Sequence, residues 1–162
     1  MNFESPDADF LTTRLLEPDQ PAPLRGIEMA GYKLVWKDEA NSYDKGRMGN
    51  YKYLNLFYSL GLNLSSSGEV TSTLWDGPAF NAGIVDGSTI VAVNGQAYSK
   101  EGIMDAVTAA KDSKQPITLL VKRGDVYRTV DIDYHDGLRY PYLEKAVKGE
   151  AGLDRLLEPR TN

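Results

Sequence analysis

The backbone of Ser59-Leu60-Gly61-Leu62 is the part of this chain best suited to chemistry. A hydrophobic-Gly-hydrophobic turn at the mouth of a strand aims successive N–H groups at one point, because glycine tolerates the φ values such a turn needs. A carboxylate can be held there without any charged side chain. The alternating run Leu60, Leu62, Leu64 then continues as a strand whose free edge an extended peptide can join. The chemistry implied is recognition of a peptide end.

Side chains suited to bond-making are few. The chain has a single histidine, His135, and no cysteine. A His-Glu-x-x-His zinc site needs two imidazoles on one helix face and a glutamate to activate metal-bound water. A Ser-His-Asp triad needs a histidine placed for one serine, and every serine here competes for His135. His135, next to Asp136 near the end of a predicted strand, reads as a surface or turn residue. Asp131 and Asp133 alternate along that strand and face one side. Paired carboxylates would do so, and so would a solvated strand face. Gly31 and Gly46-Arg47-Met48-Gly49 lack the lysine of a phosphate loop. Tyr43, Tyr51, Tyr53, Phe57 and Tyr58 could form a stacking platform, or be alternating residues packed on a sheet.

The elements that must position the turn follow from its neighbours. Glu69 to Trp75 is a strand candidate. In Asp76-Gly77-Pro78-Ala79-Phe80-Asn81-Ala82-Gly83, Pro78 suits the first position of a short helix, Asp76 lies near its N-cap, and Gly83 suits its stop. Asp86-Gly87 turns the chain, Ile90 to Val93 is an apolar run fit for a buried strand, and Asn94-Gly95 predicts a type I′ hairpin. Ser99 is placed to cap a helix over Lys100 to Lys111, with Ile103, Ala106, Val107 and Ala110 at helical spacing. Ile117 to Lys122 and Val126 to Tyr134 predict a hairpin across Arg123-Gly124-Asp125.

Upstream, Asp9 to Leu16 predicts a short helix carrying Phe10, Leu11 and Leu15, and Glu17 to Pro23 a stiff linker. Leu24 to Ala30 predicts a helical turn stopped by Gly31, and Tyr32 to Lys37 a strand. Asp38 to Asn50 reads as an exposed loop, and Leu54, Leu56, Tyr58 and Leu60 as a strand feeding the binding turn. After Gly137 the chain reads as a loop to Pro141, with a final helical turn over Leu153 to Leu157.

Composition supports this picture. The 162 residues are 41% hydrophobic and 25% charged, with a formal net charge of −5. That acidity argues against nucleic acid or an anionic membrane as partner. No apolar run reaches transmembrane length, and no basic-then-apolar leader opens the chain.

The turn and the Asp76–Gly95 string together resemble a PDZ domain, although Ser88 stands where many such sequences have aspartate. More closely, Tyr58-Ser59-Leu60-Gly61-Leu62, Leu74-Trp75-Asp76-Gly77-Pro78-Ala79-Phe80 and Val93-Asn94-Gly95-Gln96-Ala97-Tyr98-Ser99 resemble the C-terminal region of the glycyl aminopeptidase family of zinc metallopeptidases. Gly31-Tyr32-Lys33-Leu34-Val35 and Asp136-Gly137-Leu138-Arg139-Tyr140-Pro141 extend that likeness. The resemblance implies an α+β, mainly β fold: a PDZ-like, partly open β-barrel with two helices and an N-terminal helical and strand extension. Residues 1–30 would be the helical, Pro-rich extension of a preceding domain, 31–57 a strand-loop-strand, 58–136 the PDZ core and 137–162 a tail with a short helix. It also implies a bacterial parent enzyme, periplasmic or secreted, with zinc in a catalytic domain outside this chain.

Aligned on the PDZ pattern, the groove lies between the strand after Gly61 and the Lys100–Lys111 helix. Ser59, Leu60, Gly61 and Leu62 surround the ligand carboxylate. Leu62, Leu64, Met104 and Val107 form an apolar pocket, and Lys100 stands at its rim. The expected partners are a peptide or protein C terminus and the parent catalytic domain. Two other readings fit the same residues. One is a structural or regulatory domain whose groove is filled by its own chain, from residues 1–30 or the tail. The other is the PDZ region of an adaptor or of another secreted protease, such as the high-temperature-requirement serine proteases.

Overall fold

The computed structural model describes residues 23–159 together with Thr12, Thr13, Leu15 and Leu16, which are helical. The rest of the helix expected over 9–16, and the linker before Pro23, lie outside the described residues. In chain order the elements are α1 (Arg25–Met29), β1 (Tyr32–Lys37), α2 (Ser42–Tyr51), β2 (Tyr53–Leu56), β3 (Leu62–Ser65), β4 (Val70–Thr73) and α3 (Pro78–Asn81). They continue with β5 (Thr89–Val93), β6 (Gln96–Ala97), α4 (Lys100–Ala110), β7 (Ile117–Arg123), β8 (Val126–Ile132), β9 (Tyr140–Lys145) and α5 (Gly152–Leu157). The fold is α+β and mainly β.

The strands form three sheets, ordered β2-β3-β4, β6-β5-β7-β8 and β1-β9. Two compact units result, one of residues Val35–Tyr142 and one of the described residues on either side. In the larger unit the hairpin β7–β8 runs in unbroken antiparallel register from Ile117↔Ile132 to Arg123↔Val126. The turn into β6 has Asn94 at φ 48° and Gly95 at φ 80°, the pair of positive values that a type I′ turn requires. Helix α4 starts where Ser99 accepts the Gly102 N–H at 2.9 Å. Its Ile103, Ala106, Val107 and Ala110 are all buried, in one cluster with Leu119 and Val121 of β7 and Leu54, Leu56, Leu62 and Leu64 of the first sheet. Burying such side chains stabilises the fold by about 1.5–3 kcal/mol each.

The smaller unit is organised around Asp154. Its carboxylate accepts the Tyr32 hydroxyl, the Lys145 ammonium and the Ala151 N–H. These donors, led by Lys145, hold the carboxyl far below the usual carboxylate range. Helix α1 stops at Gly31, whose carbonyl accepts the Ala146 N–H at 2.8 Å.

Three local expectations are corrected. The segment Asp38–Asn50 is no loop: α2 occupies residues Ser42–Tyr51. Asn41 caps it by accepting the Asp44 N–H at 2.8 Å, and its own amide donates to the Asp44 carboxylate at 2.9 Å. That reciprocal cap outweighs the two glycines inside the helix. The strand expected through Leu60 ends at Leu56, because residues 57–60 turn back on themselves. Tyr140 and Pro141, expected in a loop, open β9.

Candidate peptide-binding site

The loop after β2 has the geometry of an oxygen-binding cradle. Ser59 N–H and Gly61 N–H both donate to one atom, the carbonyl oxygen of Leu56, at 3.1 Å each. The loop is anchored from the other side. Ala79 N–H at the head of α3 donates to Leu60 O, and Leu74 N–H to Gly61 O, both at 2.8 Å. Ser59 Oγ accepts the Arg139 N–H at 3.0 Å. Gly61 sits at φ 76°, and a Cβ there would meet Gly77 Cα at 3.3 Å and Leu74 Cβ at 3.4 Å. Both the backbone conformation and the close approach therefore call for glycine.

Leu62, Leu64 and Val107 are fully buried, in one apolar cluster against which Met104 packs. Lys100 opens α4 and is half-buried. The free edge expected on β3 is corrected, because β3 is paired along both sides. On one side it meets β4, with Leu62↔Thr73, Asn63↔Ser72 and Leu64↔Val70. On the other it meets β2, with Tyr53↔Ser65, Leu54↔Leu64, Asn55↔Asn63 and Leu56↔Leu62. Gly61 O and Ser65 N–H are committed on the β4 side, to Leu74 and Glu69. By the alternation of an antiparallel ladder, Leu62 and Leu64 turn their backbone groups toward β2. The sequence pattern showed which faces of β2 are apolar. It carried no signal for which strand lies along the edge of β3.

The remaining candidates resolve into structural roles. His135 Nδ1 lies 2.7 Å from Ala110 O and its Nε2 2.8 Å from an Asp133 carboxylate oxygen. Both neighbours are acceptors, so both contacts are made only when the ring is doubly protonated. The Ala110 carbonyl, and then Asp133, raise the His135 pKa above its usual value. Asp131 accepts the Thr118 hydroxyl at 2.6 Å, so the two aspartates are held separately. Of the five clustered aromatics, Tyr43, Tyr53, Phe57 and Tyr58 line a cleft of about 480 Å³ with Arg47, Asn55 and Asn63. The Arg47 guanidinium stands 5.8 Å from the Tyr43 ring and 6.0 Å from that of Tyr53. Ser88 is fully buried. Its hydroxyl makes no hydrogen bond among the described residues, and the adjoining turn is held by backbone, with Val70 N–H on Ser88 O at 2.7 Å. Among the described residues no group of three or more His, Cys, Asp or Glu could hold a metal ion, and no helix is long and apolar enough to cross a membrane.

Comparison with known proteins bears on the same segment. The PDZ domain family matches residues 57–122. No curated protein matches the chain. Among solved structures, an aminopeptidase N family protein from Idiomarina loihiensis is similar with a TM-score of 0.53 and 14% identity, over 88% of this chain and 25% of that one. This chain thus spans 25% of that protein's length, and the likeness is one of fold. The HtrA3 PDZ domain bound to a phage-derived ligand matches at 18% identity and TM-score 0.35, over 70% of this chain and 92% of that one. The segment that builds the Ser59–Leu62 cradle, β3 and α4 is a PDZ domain, spanning residues 57–122.

Proposed function

We propose that this chain is a non-catalytic peptide-recognition module that binds peptide C termini and serves a larger metallo-aminopeptidase of the glycyl aminopeptidase type. The convergence of the Ser59 and Gly61 N–H groups on one oxygen carries the reading. A loop that holds a carbonyl oxygen in this way offers the same donors to a terminal carboxylate. Leu62, Leu64, Met104 and Val107 supply the apolar surroundings for a last residue of Val, Leu, Ile, Phe or Ala, with Lys100 at the rim. The aminopeptidase name of the Idiomarina loihiensis neighbour and the sequence resemblance support the choice of parent. Zinc belongs to that parent's catalytic domain, since one histidine and no cysteine do not make a zinc ligand set here.

Calorimetric titration with a free-acid apolar peptide and its C-terminal amide tests the reading, with Met104→Glu as the pocket variant. The free acid binds at about micromolar affinity or weaker, since a flexible peptide loses entropy on ordering. The amide and the variant bind more weakly. Binding insensitive to both changes defeats the cradle mechanism. A second reading, a structural or regulatory domain with a self-filled groove, is favoured by one observation: β2 lies along the edge of β3.

A further inference from the structure

We infer that β2 is an internal ligand of the PDZ groove, and that the groove exchanges it for a peptide in trans ending in Leu-x-Leu with a free carboxylate. The inference rests on the peptide-recognition reading above and names its ligand class.

Direction, register and terminus all agree. A peptide that pairs antiparallel with β3 and ends in the cradle must run toward the start of β3. Strand β2 runs that way, with Leu56 opposite Leu62 and Leu54 opposite Leu64. Its last carbonyl, that of Leu56, takes the Ser59 and Gly61 N–H groups. Leu54 and Leu56 are buried in the core cluster, where the last and third-last side chains of a bound peptide would lie. The occupant's own sequence, Tyr53-Leu54-Asn55-Leu56, therefore reads out the preference of the groove.

The attachments of β2 also suit exchange. On its other face Tyr53 and Asn55 are half-buried and line the cleft of about 480 Å³. Just before it, Lys52 at the end of α2 holds φ 52°, a left-handed conformation that is strained for a residue with a Cβ. A tethered occupant competes at an effective concentration in the millimolar range. It lowers the apparent affinity of a free peptide by the fraction of chains that are open.

A reversible lock tests this. Asn55 and Asn63 are directly opposed, and the Asn55 N–H points away to Met48 Sδ at 3.4 Å. The pair is thus a non-hydrogen-bonded one with Cα atoms about 4.5 Å apart, within disulfide range. The chain has no other cysteine. The Asn55→Cys/Asn63→Cys protein, oxidised and then reduced, is titrated with fluorescein-labelled Tyr-Leu-Asn-Leu as free acid and as amide. Leu54→Ala and Leu56→Ala, which loosen β2, are titrated alongside. The free acid binds the reduced protein or the leucine variants at least about tenfold more tightly than the oxidised protein, and the amide follows neither. Equal binding to the oxidised, reduced and leucine-variant proteins overturns the inference while leaving peptide recognition intact. Binding to none of them overturns both.

Discussion

Replacing Gly61 by alanine separates two effects at the heart of the cradle. The first is conformational. At φ 76° a Cβ costs about 1–2 kcal/mol, offset by about 0.4–1 kcal/mol from the stiffer unfolded chain. The second is steric: the new methyl meets Gly77 Cα at 3.3 Å, Leu74 Cβ at 3.4 Å and Pro78 Cδ at 3.5 Å. The 74–79 turn is tied to the loop by Leu74 N–H on Gly61 O and Ala79 N–H on Leu60 O. It yields only by a few tenths of an ångström, adding about 0.5–1 kcal/mol. Gly87 is the control for the first effect alone, at φ 78° with no atom within 4 Å of its would-be Cβ. Urea denaturation followed by tryptophan fluorescence gives both values. Gly87→Ala should lose about 1 kcal/mol and Gly61→Ala about 1.5–2 kcal/mol, with weaker free-acid peptide binding only for Gly61→Ala. A Gly61 variant as stable as the Gly87 variant refutes the packing argument.

Three further substitutions probe the supports of the groove. Ser59→Ala removes the acceptor of the Arg139 N–H and should cost about 1–2 kcal/mol, whereas Ser88→Ala removes a buried hydroxyl that has no partner among the described residues and should cost under about 0.5 kcal/mol or stabilise; a larger loss at Ser88 contradicts this. Ser99→Ala should cost about 1 kcal/mol in urea denaturation by uncapping α4, and Ser99→Asp should restore most of it; no loss on Ser99→Ala means the cap is dispensable. His135 has a raised folded pKa, so its contribution is fully present below the unfolded value near 6.5 and fades as pH rises through the folded value. Urea midpoints at about pH 5.5 and about pH 8.5 should fall with pH by more in the native protein than in His135→Phe, and parallel falls would show that the histidine contributes nothing.

Much of the fold was legible because its signals are local. The Ser99 cap, the Asn94-Gly95 turn and the Pro78 helix start each depend on residues adjacent in the chain. Helix α2 was hidden because Gly46 and Gly49 interrupt it and Met48 is its one side chain packed on the core cluster, leaving only the Asn41–Asp44 cap as a signal. The end of β2 was hidden for another reason. Leu60 is fully buried because the loop folds back, so its place in the period-2 pattern mimics a strand that had already ended. For the site, the hydrophobic-Gly-hydrophobic pattern pointed to the Ser59–Leu62 turn and helical spacing put Val107 on the buried face of α4, whereas Met104 followed only from alignment on the PDZ pattern. Which strand lies against β3 is a matter of long-range pairing, and alternation reports the face a side chain takes rather than the neighbour at its edge.

Amide hydrogen exchange at Leu62 and Leu64 in the free chain reads directly whether the groove beside β3 is occupied by β2. Both amides face β2, and freeing them exposes Leu54 and Leu56, at about 1.5–3 kcal/mol each. With β2 in place, exchange should be slowed by roughly two to four orders of magnitude relative to an unstructured peptide, through an opening less costly than global unfolding. Exchange at Leu62 and Leu64 as fast as at the exposed Ser66 and Ser67 would contradict it.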